Sequence, residues 1–331
     1  MPAKIDYLVV GAGVAGCTLG YLLRQAGASV MLVDLCDLAK KDKLCGGVLS
    51  VGALQLLKGV YGAGALEELG LFWPEYHVSR FGDHQLTRAV EYATVSRKVL
   101  DTWLLERYLS TGGIVRDRLR VDAIDAQEHL MTLTDLRTRE GVRLSYGTLV
   151  GADGATSAVR RLLAGRRQRT IVSVEGYVPR AGADVIFCYR PARVGYCWYI
   201  PTNNEANVGC CCYDTGARTC REWLAEFCGE MGLDPTDVRG APIPTGDDVL
   251  LSAADGVWLA GDAAGLITPS VSGGIHYALA SAIALARSLG GGTPYEMIMA
   301  DGVERIRSEA AAVANSYRLR LLAIARNGSP V

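Results

Sequence analysis

The chain opens with two hydrophobic periods in succession. Residues 5–10 are apolar at nearly every position, as in a strand buried on both faces. A glycine-rich turn follows, then helical spacing over 15–26, closed by Gly27. Residues 29–33 form a second apolar run with Asp34 at its tip, so the segment reads as a βαβ unit. Leu100, Trp103, Leu104 and Tyr108 predict a helix that Gly112 and Gly113 stop. Runs at 114–121, 130–136 and 144–150 predict strands, the last leading into Gly151.

From residue 171 to 213 the pattern changes to short β-rich runs, at 172–178, 185–189, 196–200 and 207–213. Earlier runs at 77–81 and 85–94 are expected to join the same sheet. A helix over 219–232, a short buried strand at 257–260 and a long helix over 274–289 complete the pattern. This predicts an α/β protein with a discontinuous Rossmann-like nucleotide-binding domain, residues 1–75, 95–165 and 245–331. A mainly antiparallel β-sheet domain for substrate, 76–94 and 166–244, is inserted in it.

A length of 331 residues suits two joined domains, and 50% hydrophobic with 21% charged residues suits a globular enzyme. The net charge of −1 favours no nucleic acid as partner. The first residues lack the basic start and apolar core of a signal peptide, which predicts a cytoplasmic protein. The stretch 275–289 carries His276 and Arg287 and is too short to span a bilayer, so it reads as a buried helix. A peripheral membrane contact stays open, because lipid substrates are reached by surface helices. Ten cysteines without CxxC spacing read as reduced thiols. Cys210, Cys211 and Cys212 alternate faces of a strand, so three in a row do not share one metal and read as small buried hydrophobes. The histidines show no ligand spacing, and no metal is expected.

Three stretches carry candidate chemistry. In Gly11-Ala12-Gly13-Val14-Ala15-Gly16, Gly11 permits the tight turn and Gly13 lets backbone approach a pyrophosphate. Gly16 permits close helix–strand packing, and the helix N-terminus presents N–H groups to phosphates. Asp34 is placed to bind the ribose hydroxyls of an adenosine. This motif alone leaves NAD and FAD open. The second stretch, Gly261-Asp262-Ala263-Ala264-Gly265, follows the strand at 257–260. Downstream, Gly273, Gly274 and Ile275 open the long helix. The third is Gly151-Ala152-Asp153-Gly154-Ala155-Thr156-Ser157, followed by Arg160.

The second stretch resembles the second fingerprint of FAD-dependent oxidoreductases, in which the aspartate accepts from the ribityl chain. The third resembles the middle motif of aromatic hydroxylases, whose aspartate lies near the cofactor. Arg97, with Leu100, Asp101 and Leu104 after it, is similar to the arginine-then-helix element that touches FAD in the same proteins. The resemblance implies FAD, with the N-terminus of the long helix aimed at the flavin edge where reduced flavin is negative. No second glycine-rich βαβ unit is present, so NAD(P)H docks transiently or another donor, such as a reduced ferredoxin, reduces the flavin.

Two more segments narrow the family. Lys43-Leu44-Cys45-Gly46-Gly47 and Tyr196-Cys197-Trp198-Tyr199-Ile200-Pro201 together resemble the geranylgeranyl reductase family, in the p-hydroxybenzoate hydroxylase-like superfamily. Its members have a Cys-Gly-Gly segment beside the flavin and a Tyr-x-Trp-x-Phe-Pro motif in the substrate cavity; here Ile200 replaces the phenylalanine. In a strand Tyr196, Trp198 and Ile200 share one face while Cys197 and Tyr199 share the other. The resemblance implies saturation of carbon–carbon double bonds in an isoprenoid, a lipid or another hydrophobic substrate, with Cys45, Tyr196 and Trp198 as catalytic candidates. For Cys45 a proton-donating and a packing reading both stand. The rivals are a flavin monooxygenase or halogenase acting through a C4a-hydroperoxide, and a non-catalytic electron carrier.

Overall fold

A computed structural model describes residues 5–190, 195–213 and 216–326, with side chains described as far as residue 316. The chain begins β1 (Ile5–Val10), α1 (Val14–Gln25), β2 (Val30–Val33), β3 (Val48–Leu49), α2 (Val51–Tyr61) and α3 (Ala65–Glu68). It continues β4 (Tyr76–Phe81), β5 (His84–Ala89), β6 (Ala93–Thr94), α4 (Arg97–Ser110), β7 (Ile114–Arg116) and β8 (Leu119–Asp125). Next come β9 (Leu130–Asp135), β10 (Gly141–Gly151), α5 (Ala158–Ala164), β11 (Thr170–Pro179), β12 (Val185–Tyr189) and β13 (Gly195–Pro201). The last elements are β14 (Glu205–Cys212), α6 (Ala217–Met231), β15 (Thr236–Pro244), β16 (Ser252–Ala254), β17 (Val257–Leu259), α7 (Ile275–Leu289) and α8 (Tyr295–Arg326).

The described residues divide into two compact units. The first takes the chain up to Asp42, Leu100–Arg169 and Pro244–Arg307; the second takes Lys43–Val99, Thr170–Ile243 and the segment from Ser308 on. The stretch 43–75 clusters with the second unit, where Val48 pairs with Thr94 and Phe72 bridges to the same threonine.

The first unit is built on a sheet ordered β16-β17-β10-β1-β2-β7, with β9 and β8 continuing from β10. Strands β17, β10, β1, β2 and β7 run parallel. Their near-unbroken apolar sequence follows from burial on both faces, and Leu8, Val9, Leu32, Val33, Leu149 and Val150 are fully buried. Strand β10 changes partners along its length, pairing antiparallel with β9 over its first half and parallel with β1 and β17 over its second. Tyr108 of α4 pins this layer: its buried hydroxyl lies 2.9 Å from the Val30 carbonyl and 2.8 Å from that of Ile114.

The second unit holds a seven-stranded sheet ordered β15-β11-β14-β13-β12-β4-β5, antiparallel except for the β12–β4 pair among the pairings described here. One face of β13 and β14 packs on α6 through Cys197, Tyr199, Val208, Cys210, Trp223 and Phe227. The other face gathers Ile171, Val185, Phe187, Tyr196, Trp198 and Ile200. The alternation expected of 196–200 is therefore present.

Two expected strands differ. The run 114–121 is broken at Arg118, which takes a left-handed φ of 55°. Its halves serve different neighbours, β7 pairing with β2 and β8 with β9. The run 85–94 ends at Ala89, and Ala93–Thr94 pairs with β3 instead. Helices α2, α3, α5 and α8 were not anticipated. Gly52 and Gly59 blur the helical period of α2, whereas α8 buries Tyr295, Met299, Val303, Ile306 and Ala310 at a helical spacing that the sequence carries. Among the described residues no helix is long and apolar enough to cross a membrane.

His77 of β4 stacks on Phe187 at 5.0 Å and contacts the Tyr92 hydroxyl through Nδ1 at 3.0 Å. Burial, with Arg88 adding to it, pushes its pKa below the ordinary 6.5. Protonation therefore favours the unfolded chain: this contribution to stability is whole above pH 6.5 and is lost as pH falls through the lower folded value. The unfolding midpoints of wild type and His77→Phe should converge or cross as pH drops below about 6.5, with the variant the less sensitive. Parallel pH dependences in the two proteins would refute this.

Candidate flavin and substrate sites

In the first unit the strand ends are level. The Gly11 N–H donates to the Val33 carbonyl at 2.7 Å, the Ala152 N–H to Val10 at 2.7 Å, and the Ala260 N–H to Gly151 at 2.9 Å. Three loops, beginning at Gly11, Gly151 and Gly261, thus leave one edge of the sheet together. Gly11 has φ 104°, and a Cβ there would lie 2.3 Å from the Ala152 carbonyl oxygen. A Cβ on Gly16 would lie 1.8 Å from the Gly11 oxygen, so the turn and the start of α1 interlock. Gly13 differs: the space where its Cβ would stand is open to 4 Å, and no side chain caps α1. An uncapped helix N-terminus behind an open backbone turn fits a pyrophosphate. Val14 and Ala15 are buried behind it.

Asp34 is buried at the tip of β2 and holds the same turn. Its Oδ2 accepts from the Ala12 N–H at 2.7 Å and from Lys41 Nζ at 2.6 Å, and its Oδ1 accepts from the Cys36 N–H at 2.8 Å. A carboxylate has room for about four such bonds, which leaves capacity for a ribose hydroxyl. Lys41 was not singled out from sequence; it sits in a charged run, Lys40-Lys41-Asp42-Lys43, that reads as solvated surface.

The second and third stretches meet each other. Gly261 takes φ 57°, and its Cβ position is 3.3 Å from Ala15 Cβ and 3.4 Å from Ala278 Cβ, so α1, this turn and α7 pack without spare room. Asp262 reaches the start of α7: its Oδ1 is 2.7 Å from where a Gly274 Cβ would stand. A carboxylate there gains from the positive end of the helix that Ile275 begins. Gly273 forms a bridge with Thr268 ahead of it.

Asp153 does not point away into open space. Its carboxylate accepts from Ser157 Oγ at 2.6 Å and from the Ala158 and Val159 N–H groups at 2.7 and 3.2 Å, capping α5. Burial pushes its pKa up, against the lowering effect of these donors. The rest of the third stretch shapes the second. Gln168 Nε2 donates to the Asp262 carbonyl at 2.7 Å and to that of Ala155 at 2.8 Å. Arg160, 1% exposed, reaches the Ala263 carbonyl at 3.4 Å and pairs with Asp248 at 2.8 Å. Gln168 was missed because a lone glutamine after a short helix carries no periodic or motif signal.

In the second unit the two narrowing segments come together. A Cβ on Gly46 would lie 2.2 Å from Ile200 Cδ1, so Cys45-Gly46-Gly47 is seated on the face that carries Tyr196 and Trp198. Gly47, at φ 69°, lies with its Cβ position 1.8 Å from the Val95 oxygen, and its N–H donates to Cys45 Sγ at 3.4 Å. Arg97 begins α4 and is buried. Rings of Phe187, Tyr189 and Trp198 lie 5.3, 5.7 and 5.7 Å from that of Tyr196. Beneath them runs a buried polar relay that sequence reading missed. Trp198 Nε1 donates to Asn207 Oδ1 at 2.6 Å, Asn207 Nδ2 to Glu175 Oε2 at 3.3 Å, and Ser173 Oγ to Glu175 Oε1 at 2.9 Å. Burial pushes the Glu175 carboxyl above the usual range, against Ser173, Asn207, Lys43 and Arg239. Gly209 provides the slot for the indole: a Cβ there would be 2.2 Å from Trp198 Cζ2 and 2.9 Å from Glu175 Cγ.

Gln168→Leu keeps volume but strips the donors from two carbonyls under the second stretch. The expected result is a loss of about 1–3 kcal/mol in denaturant unfolding, together with a lower FAD content on purification. Unchanged stability and unchanged FAD content would show that Gln168 does not shape the turn.

Residues 4–227 match the family model described as FAD binding domain. The chain is similar to the geranylgeranyl diphosphate reductase of Rhodobacter capsulatus, at 27% identity over 297 residues, covering 83% of this chain and 72% of the relative. It is similar to digeranylgeranylglycerophospholipid reductase 2 of Methanothermobacter thermautotrophicus, at 27% over 303 residues, covering 83% and 75%. A solved geranylgeranyl bacteriochlorophyll reductase-like protein of Thermoplasma acidophilum shares the fold, with a TM-score of 0.74 at 17% identity over 95% of this chain and 84% of that one. The chain belongs to the FAD binding domain family and is an FAD-dependent oxidoreductase.

Proposed function

We propose that this protein is a reductase that saturates carbon–carbon double bonds of an isoprenoid or similarly hydrophobic substrate. The observation that carries the reading is the seating of Gly46 on Ile200, which makes Cys45 and the Tyr196-Trp198-Ile200 face one surface of the second unit. FAD, when bound and reduced, supplies the hydride. The first unit holds it through the open turn at Gly13, through Asp34 and through the backbone around Asp262. The inserted sheet holds the substrate, and its aromatic face offers apolar contact with few groups that demand hydrogen bonds. Two relatives named for geranylgeranyl substrates support an isoprenoid class. NAD(P)H or a reduced ferredoxin supplies the electrons, and a peripheral membrane contact suits a lipid substrate.

Cys45 and the Trp198 relay have separate tasks in this proposal. The thiol is the proton donor to the substrate carbon, and Asn207 and Glu175 are positioning residues that fix the plane of the Trp198 indole. Gly209→Ala should push the indole out of its slot and cut single-turnover oxidation of reduced enzyme by a polyprenyl substrate at least about tenfold, while FAD content stays at the wild-type level. Normal turnover with a displaced indole, seen by changed tryptophan fluorescence, would remove Trp198 from the substrate site.

Cys45→Ser should keep fold and FAD but slow proton delivery, because a hydroxyl is the poorer acid. Wild-type single-turnover rates in both Cys45→Ser and Cys45→Ala would refute the chemical role. For the function as a whole, the test is anaerobic reduction followed by substrate or by oxygen. Substrate-dependent flavin reoxidation without oxygen supports the reductase. A stabilised oxygen adduct with hydroxylated or halogenated product would overturn it.

A further inference from the structure

On the α6 side of the second unit's sheet, facing away from Tyr196 and Trp198, the cysteines meet in a way their sequence order conceals. Cys210 and Cys212 sit two apart on β14 and share a face, while Cys211 lies on the opposite one. The first turn of α6 brings Cys220 to them, and the three sulfur atoms all lie within 4.8 Å of one another. The Cys210 and Cys212 sulfurs are 3.7 Å apart. Four sulfurs placed tetrahedrally at about 2.3 Å from a zinc ion are about 3.8 Å apart, so this pair already has the edge length of such a site. Cys197 stands opposite Cys210 in the β13–β14 register, a fourth sulfur on the neighbouring strand whose S–H is directed at the Trp223 carbonyl at 4.0 Å.

We propose that Cys210, Cys212 and Cys220 form a structural zinc site, with Cys197 turning from the Trp223 carbonyl to become the fourth ligand, and that the ion ties β13 and β14 to α6. The surroundings select the ion. Around the sulfurs lie Val174, Tyr199, Val208, Trp223 and Phe227, and among the described residues no carboxylate or imidazole joins the sulfur group. An all-sulfur donor set favours a thiophilic ion over calcium, magnesium or manganese. The excess negative charge of four thiolates is opposed by the N-terminus of α6, which no side chain caps, and by the Cys212 N–H directed at the Cys220 sulfur. Loading releases one proton for each thiol that becomes a thiolate, so zinc affinity rises with pH. The ion and the four sulfurs undergo no change of oxidation state.

The test uses the full-length flavoprotein, purified under reducing conditions with zinc sulfate in the medium and no chelator. The expected result is one zinc per chain by elemental analysis, released when a mercurial reagent titrates the thiols. Replacement by cobalt(II) should give the intense sulfur-to-metal absorption and the visible bands of tetrahedral thiolate coordination. Cys212→Ser and Cys220→Ala should each reduce zinc content to a trace, with FAD content as the control for folding. Only a trace of zinc in the wild type after loading would overturn the site without recourse to any variant. So would a full equivalent retained by the folded double variant Cys210→Ala/Cys220→Ala, since the zinc would then be held elsewhere.

Discussion

Everything in the first unit depends on the register in which β1, β2, β10 and β17 run side by side. Val10 is level with Gly151 and with Val33, and Gly151 is level with Leu259. The backbone bonds that continue past the strand ends carry this alignment into the loops themselves. A parallel sheet sends every such loop out at the same edge, which is where open α/β sheets bind ligands. A shift of one residue in β10 would carry Gly151 away from both neighbours and turn buried side chains toward the wrong layer. The antiparallel pairing with β9 at the other end of the same strand resists that shift.

The second unit solves a different problem with one strand. β13 has to pack against α6 and also present an aromatic surface, and the two-residue period of a strand lets alternate side chains serve each purpose. Burying Trp198 on one face requires a partner for its indole N–H, which Asn207 supplies from β14. Asn207 in turn requires Glu175, and the carboxyl requires Ser173. Each polar group is admitted because the next one satisfies it, and the Ser173 hydroxyl, with one hydrogen to give, stands within reach of both Glu175 and the Ala241 carbonyl.

Much of this was legible in the sequence, for physical reasons. Gly11, Gly16 and Asp34 belong to a local motif whose spacing is dictated by backbone geometry, and most strands carried a clear hydrophobic period. What was not legible depends on contacts between distant segments. Gln168 and Arg160 act on Asp262 and Ala263 about a hundred residues away, and neither position has a local pattern that announces it. Asp153 matched a cofactor-binding motif, yet its carboxylate caps α5, since a helix start offers the same N–H donors that a motif aspartate seeks in general. Cys220 lies eight residues beyond Cys212 in a different element, so reading three adjacent cysteines by alternation separated Cys211 correctly and missed the partner from the helix. Arg118 broke a strand that hydrophobicity alone joined, because φ 55° in an arginine is a decision of tertiary packing.

The position of β10 also bears on how the chain assembles during synthesis. β1 and its glycine turn leave the ribosome well before the strand that flanks them on one side, Gly141–Gly151, and that strand waits in turn for Val257–Leu259. Contacts so distant along the chain close slowly, since loop entropy must be lost before pairing offsets it. Until then β1 has β2 on one side and an unpaired apolar edge on the other, the kind of edge that recruits stray strands. The edge of β1 thus stays open until Gly141–Gly151 has been made, and that of β10 until Val257–Leu259 follows.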